Sequence, residues 1–383
     1  MRDVTLSRLL LAASIAGIAA GAQAQSDVTI YGRINVGIVN YSGYGAGGTS
    51  VTKENNLSSR IGFKGRESLG GGLHAIYQIE TGFSANTGDG TIASREASVG
   101  LQGDFGKLRL GYMLTPLDDL HGIAQPGYGS NFLNDNLNGF WANGYSNMFS
   151  GGTAGNTACV QVAGTSSNTN SFGFDNRYGN SIRYDSPSMN GMNLATHVAL
   201  GGVSSCKAYA WSSKLQYNAK GLNAALAYNL HRNVRGIDLN DSIVMLAAGY
   251  QINPAFYVGG YYQSVTYDNP GKRQLKQNGF GLVGRHFSGP NTFELGWYRG
   301  GAGKGDQTTA FSGIFVGDGT QANMYVLGYR YSLSKRTDLW SQYALMRNGD
   351  QAGYDLGGAG KAGAAGTIGQ SLRGLGFGIK HDF

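Results

Sequence analysis

The amino-acid sequence predicts an all-β protein, a transmembrane antiparallel β-barrel of sixteen strands. Three observations indicate this fold. Glycine accounts for 64 of the 383 residues, and only 14% of residues are charged, well below the roughly 25% of soluble domains. Apolar and polar residues alternate along segments of about ten residues, the length of a tilted strand in a bilayer. The connections between these segments alternate between long and short, as in transmembrane barrels.

Alternation is the dominant signal from residue 26 onward. In the first segment Ile30 and Ile34 lie on one face, while Tyr31 and Arg33 lie on the other. No internal run is apolar enough to form a membrane helix. We count sixteen segments of this kind, with cores that begin near residues 27, 57, 72, 93, 106, 177, 191, 208, 222, 242, 255, 276, 291, 322, 337 and 371.

The connections predict the orientation of the barrel. Sixteen strands that start and end on one side need eight connections on the far side and seven on the near side. Transmembrane barrels have long outer loops and short periplasmic turns. The long connections are 42–56, 84–92, 113–176, 201–207, 233–241, 267–275, 301–321 and 348–370. The short turns lie around residues 68–71, 104–105, 186–187, 220–221, 253–254, 289–290 and 335–336.

The two end strands are predicted to pair with each other. In hydrocarbon, an unpaired strand edge leaves N–H and C=O groups without hydrogen-bond partners. The strand that starts at Val28 should therefore lie beside the strand that ends at Phe383.

The N-terminus has the pattern of a secretory signal peptide over residues 1–24. Arg2 and Arg8 supply positive charge before an apolar core at Leu9–Ala20. Ala22-Gln23-Ala24 forms a small-x-small cleavage site. A membrane anchor is the alternative, but the apolar core is too short to span a bilayer. Residues 25–383 then form a single barrel domain. Although the formal net charge is +7, the chain has no dense basic run, which argues against a nucleic-acid partner.

The third long connection, 113–176, exceeds the length of an ordinary loop and contains Asp118 and Asp119. We expect it to fold into the barrel and narrow the pore, because barrels of this size leave a water-filled lumen. The alternative is an outer cap that packs on neighbouring loops.

Charged residues on the polar face predict the character of the lumen. Rings of Arg or Lys at a constriction favour anions. Glu80, which alternates with Ile79, is a candidate acidic partner. By alternation, the inward cations are Arg33, Arg60, Lys64, Arg66, Arg109 and Arg183.

The two cysteines, Cys159 and Cys206, lie in the third loop and the next outer loop. Export to an oxidising compartment permits a disulfide between them; two free thiols are the alternative. Signatures of hydrolases, nucleotide-binding loops and metalloproteases are absent. The sequence therefore predicts no catalytic residues, no metal and no cofactor.

Several blocks of sequence resemble the Gram-negative general porins, in particular the trimeric type common in beta-proteobacteria. The resemblance covers essentially the whole chain after the signal. The matching blocks are Val28–Gly32, Ser59–Gly65, Glu67–Leu73, Phe105–Gly111, Asn180–Pro187 and Gly378–Phe383.

This resemblance implies a homotrimer in the outer membrane that passes small hydrophilic solutes and inorganic ions by passive diffusion. It also implies contacts with outer-membrane lipid and lipopolysaccharide, and recognition of Phe383 by the barrel-assembly machinery. Arg60 and Arg177 match wall arginines of anion-selective members, and Glu80 matches their acidic partner.

The sequence departs from the family pattern at two places. Tyr112 follows Gly111 where the family usually has Arg. Glu96 stands where some anion-selective members have Arg, and we expect the adjacent Arg95 to point away from the lumen. Both departures reduce positive charge at the pore, so the anion preference is expected to be weak.

Three other functions are compatible with a barrel of this kind. The first is a substrate-specific uptake channel, which requires a binding track for one class of solute. The second is a barrel lipid hydrolase, which requires a Ser–His pair facing lipid. The third is a surface adhesin that acts through its outer loops.

Overall fold

The computed structural model describes residues 26–44, 47–125, 174–175, 177–200, 207–234, 237–269, 271, 273–305, 316–354, 356 and 368–383. The predicted signal peptide and both cysteines lie outside these residues. Among the described residues, no helix is both long and apolar enough to cross a bilayer.

The described chain is almost entirely β-structure. A 3₁₀ turn at Asp118–Leu120 continues into a short helix, α1, at His121–Ala124. The sixteen strands are β1 (Ser26–Tyr44), β2 (Thr49–Asn56 and Arg60–Gly70), β3 (Leu73–Gly82), β4 (Glu96–Gly103), β5 (Gly106–Leu114), β6 (Arg177–Asp185), β7 (Met192–Leu200), β8 (Tyr209–Ala219), β9 (Leu222–Arg232), β10 (Asn240–Asn253), β11 (Phe256–Asn269), β12 (Arg273–Ser288), β13 (Asn291–Gly300 and Lys304–Gly305), β14 (Ala322–Ser332), β15 (Thr337–Asn348) and β16 (Ser371–Asp382).

Two strands are interrupted, and each counts once in the ring. Both pieces of β2 pair with β1, and both pieces of β13 pair with β12. Every strand is antiparallel to the next along the chain, and β16 pairs with β1. The result is a closed barrel of sixteen strands, which confirms the predicted fold.

Ring closure includes the last residue. The Gly32 N–H donates to the Phe383 carbonyl at 2.9 Å, and the Phe383 N–H donates to the Gly32 carbonyl at 3.0 Å. The strand that starts near Val28 therefore lies beside the strand that ends at Phe383, as predicted.

The predicted long connections at 42–56 and 267–275 are wrong. β1 continues to Tyr44 and pairs with Thr49–Asn56, so only residues 45–48 separate the two strands. β11 and β12 likewise leave only residues 270–272 between them. These strand ends are rich in polar residues. Backbone pairing continues there although apolar alternation, the signal used to locate strands, has ended.

The apolar face of the strands points away from the lumen. In β16, Leu375, Phe377 and Ile379 are exposed, whereas Leu372 and Lys380 are buried. A soluble β-sandwich would bury the apolar face instead. The outward apolar face is the one that a surrounding bilayer requires.

Inside the barrel, apolar side chains cluster toward the outer loops. The inward charged side chains that alternation predicts lie on β1–β6. Alternation did not predict that many inward side chains toward the outer loops, on β1 and on β10–β16, are apolar and buried. These include Val39, Ile243, Val265, Leu275, Met324, Met346 and Leu372.

A tryptophan packs inside the wall beside the closing strands. The Trp340 indole N–H donates to Asn35 Oδ1 at 2.9 Å, and its ring covers Gly37 and Gly378. A Cβ atom at position 378 would lie 2.3 Å from the Val36 carbonyl oxygen and 2.4 Å from the Trp340 ring. The glycines therefore make room for the indole.

We expect Gly378→Ala to destabilise the folded barrel. The added methyl group must displace either the β1 backbone or Trp340, and overpacking of this kind costs about 1–3 kcal/mol. The temperature at which the folded form is lost on heated SDS gels should fall by roughly 5 °C. Gly284→Ala is the matched control, since a Cβ there meets nothing within 4 Å. Equal melting of the two variants would contradict the packing argument.

Candidate pore constriction

The inward charges of β1–β6 are brought together by strand register. A two-residue period places every second side chain in the lumen. Arg109 of β5 lies opposite Gly100 of β4 on one side and Arg183 of β6 on the other. Glu80 of β3 lies opposite Glu96 of β4. Cations and carboxylates that are distant in sequence thus form one continuous charged wall.

Glu80 is a centre of this wall. Its carboxylate accepts hydrogen bonds from Arg95 Nε at 2.7 Å and from the Tyr31 hydroxyl at 3.1 Å, and Arg60 Nε lies 3.7 Å away. The predicted Arg60–Glu80 pair is therefore present. The expectation that Arg95 points away from the lumen is wrong. Arg95 precedes β4, so the alternation of that strand does not determine where its side chain points.

A second centre lies nearer the periplasmic turns. Arg109 contacts Glu96 at 3.2 Å and Asp185 at 2.9 Å. It borders a cavity of about 430 Å³, whose lining also includes Lys64 and Asp27. The cationic lining residues are Lys64, Arg66, Lys107, Arg109 and Arg183.

Arg183 connects the wall to the third loop. Its guanidinium donates to Asp119 at 2.6 Å, to Asp185 at 2.7 Å and to the Leu114 carbonyl at 2.9 Å. Lys214 of β8 approaches the same Asp119 oxygen at 2.7 Å. Asp119 therefore holds the start of the loop against β6 and β8.

The start of the third loop then crosses to the opposite wall. The hydroxyls of Tyr257 and Tyr298 donate to the carbonyls of Ile123 and Ala124 at 2.7 and 2.9 Å. Arg285 donates to the Gln125 carbonyl at 2.6 Å. Because these three side chains project inward from β11, β12 and β13, the described start of the third loop lies inside the barrel. The expectation that the loop as a whole narrows the pore stays a prediction. Residues 126–173 lie outside the described part of the chain.

The two ends of the third loop meet at Asp118, His121 and Asp175. His121 Nε2 lies 2.7 Å from Asp175 Oδ2, and His121 Nδ1 lies 3.6 Å from Asp118 Oδ1. Burial, together with the nearby Asp175 carboxylate, raises the pKa of Asp118. The buried Arg177 lies close enough to Asp118 for the two charges to interact. Asp118 and Arg177 were predicted from the sequence, but their meeting with His121 and Asp175 was not.

One of the predicted pore residues, Arg33, lies apart from these contacts. It pairs with Asp382 at 2.6 Å, at the periplasmic end of the closing strands. Lys64 lines the cavity beside Arg109 and places its ammonium 5.2 Å from the centre of the Tyr31 ring.

Sequence reasoning missed several charged residues of the lumen. Asp185 lies on the strand face opposite Ile182, and Lys214 lies on the face opposite Trp211 and Leu215, so the two-residue period assigns both side chains to the lumen. Arg285 and Glu294, which pair at 2.7 Å, carry the same signal. Asp175 carries none, because it lies in a loop, where alternation does not apply.

The chain is similar to known outer-membrane proteins along most of its length. Residues 11–351 match the family model described as Gram-negative porin. An outer membrane porin protein of Bordetella pertussis is 27% identical over 89% of this chain and 94% of its own length. Outer membrane porin protein 32 of Delftia acidovorans is 26% identical over 99% of this chain and 100% of its own length.

Solved structures show the same fold. An anion-selective porin from Comamonas acidovorans superposes with a TM-score of 0.69 at 22% identity, over 94% of this chain and 100% of that one. An OmpF of Salmonella typhi superposes with a TM-score of 0.61 at 15% identity, over 93% of this chain and 97% of that one.

Proposed function

This chain belongs to the Gram-negative porin family, and on that basis we propose that its outer-membrane channel, which passes small hydrophilic solutes and ions by passive diffusion, weakly prefers anions to cations. We also propose that it assembles as a homotrimer, as the resemblance to trimeric porins implies. Family membership indicates a channel rather than an enzyme. The predicted signal peptide and the Cys159–Cys206 disulfide stay predictions.

The observation that carries the anion preference is the cavity beside Arg109. Five cationic side chains line it, against two carboxylates from Asp27 and Asp185, an excess of three positive charges. Positive charge lining a water-filled pore raises the local concentration of anions.

Acidic residues near the cavity limit this preference. Glu96 contacts Arg109 and Glu80 contacts Arg95, so part of the positive charge of the wall is compensated. A wall with many internal ion pairs and a modest surplus of cations supports weak selectivity rather than a strict anion filter.

Reversal potentials across planar bilayers under a KCl gradient test the proposal directly. We expect the unmodified channel to pass chloride more readily than potassium. In Arg109→Gln, the permeability ratio of chloride to potassium should fall about fivefold, since one charge at 4 Å in water contributes roughly 1 kcal/mol. Arg336→Gln is the control, because it removes the same charge from an exposed turn. A clear cation preference of the unmodified channel would overturn the proposal.

A substrate-specific uptake channel would behave differently in the same bilayers. One class of solute would block its conductance at low concentration, whereas a general porin shows conductance that follows bulk ion concentration. A lipid hydrolase or an adhesin would retain its activity in a variant with blocked conductance.

A further inference from the structure

Asp118, His121 and Asp175 form a compact cluster of metal-ligating groups at the base of the third loop. Each offers one ligand atom, and these atoms all lie within 4.8 Å of one another. Asp118 and His121 are three residues apart on the turn that leads into α1. Asp175 comes from the other end of the loop, immediately before β6. The cluster thus joins two segments more than fifty residues apart in sequence.

The Asp175 carboxylate is buried, and only one of its two oxygens has an identified partner. Only 3% of its side chain is exposed, and Oδ2 faces His121. Its other oxygen, Oδ1, is buried and has no hydrogen-bond partner among the described residues. Burying a carboxylate oxygen without a hydrogen-bond partner costs free energy, because the oxygen loses its hydrogen bonds to water and forms none in the protein. A cation bound by the cluster would supply the missing interaction.

The charged groups at the cluster have both signs. Asp118 and Asp175 place two carboxylates beside one imidazole, and like charges held this close are stabilised by a shared cation. Arg177 also lies near Asp118 and adds one positive charge. Its positive charge weakens the attraction of the cluster for a metal ion. Arg177 is the first residue of β6, and its guanidinium does not supply a ligand atom.

We propose that Asp118, His121 and Asp175 bind a divalent cation of the zinc type, which fastens the two ends of the third loop together. One imidazole nitrogen and two carboxylate oxygens are ligands that Zn²⁺ accepts. The side chains of Asp118 and His121 are 20% and 12% exposed, so water completes the coordination. The site is independent of ion selectivity, because binding requires only the folded loop base.

The proposal is tested on the purified, folded protein in detergent after EDTA treatment and dialysis. Isothermal titration with Zn²⁺ alone should show one bound ion per chain. His121→Gln and Asp175→Asn each remove one ligand and should weaken binding at least about tenfold. His286→Gln on β12, away from the loop base, should bind Zn²⁺ as the unmodified protein does. Folding of each variant is checked by its heat-dependent mobility on SDS gels.

A second measurement uses the unmodified protein and does not depend on the folding of variants. Diethyl pyrocarbonate modifies accessible histidines, and mass spectrometry locates each modification. Bound Zn²⁺ should slow modification of His121 several-fold and leave His286 unchanged. The proposal is overturned by the absence of Zn²⁺ binding, by binding that survives both ligand substitutions in folded protein, or by a His121 rate that Zn²⁺ does not change.

Discussion

Removal of Phe383 is expected to reduce the amount of folded protein in the outer membrane about tenfold or more. Two effects act together. Deletion eliminates both hydrogen bonds between Phe383 and Gly32 and leaves the N–H and C=O of Gly32 without these partners where the ring closes. Deletion also removes the C-terminal aromatic residue that the porin resemblance identifies as an assembly signal. The measurement is the folded fraction in isolated outer membranes, by heat-dependent mobility and immunoblotting.

Three further samples distinguish the contribution of ring closure from that of recognition of the Phe383 side chain during assembly. Phe383→Ala retains the backbone pairing but loses the ring, so a large loss in this variant supports recognition of the aromatic side chain. Phe383→Tyr retains both and should assemble normally. The deleted chain, refolded in detergent, should give channels of nearly normal conductance, because the pore charges lie on other strands. Normal outer-membrane levels of the deleted chain would contradict the prediction.

The second large effect concerns Asp119, which we expect to control both loop position and selectivity. Its carboxylate contacts Arg183 at 2.6 Å and Lys214 at 2.7 Å. Asp119→Asn removes the negative charge, while the Lys214 ammonium still donates to Gln216 Oε1 at 2.9 Å. The ratio of chloride to potassium permeability should rise about fivefold, by the same estimate of roughly 1 kcal/mol per charge.

Single-channel conductance should rise in the same variant, because the loop start loses its two charge-assisted bonds to β6 and β8. Asp104→Asn removes an equal charge from an exposed periplasmic turn and should change neither property. The opposite signs expected for Asp119→Asn and Arg109→Gln make the pair a stringent test. A fall in chloride preference on loss of Asp119 would show that this carboxylate does not offset the cations of the pore.

Strand positions were predictable because their cause is local. A bilayer imposes a two-residue period on each strand and needs a turn about every ten residues. All sixteen predicted strands are present, and the pairing of Val28's strand with that of Phe383 follows from the need to close the ring. The same period did not locate the strand residues within 42–56, because the paired strand ends there are rich in polar residues and lack apolar alternation.

The candidate site was predictable only in part. Arg60, Glu80, Arg109 and Arg183 were found because alternation assigns a face. The same rule cannot show which inward side chains meet. Asp119 with Lys214 joins a loop to a strand far along the chain, and Arg95 reaches Glu80 from outside its strand.

Fold, closure and the inward face of each strand are consequences of the local pattern, since each strand must satisfy the bilayer separately. The partners of the pore charges, the apolar part of the lumen and the Asp118–His121–Asp175 cluster depend on the closed ring. Closure sets the distances across the lumen, and the third loop then places its residues against strands that the sequence keeps far apart. Those distances are a property of the whole barrel, which no single segment specifies.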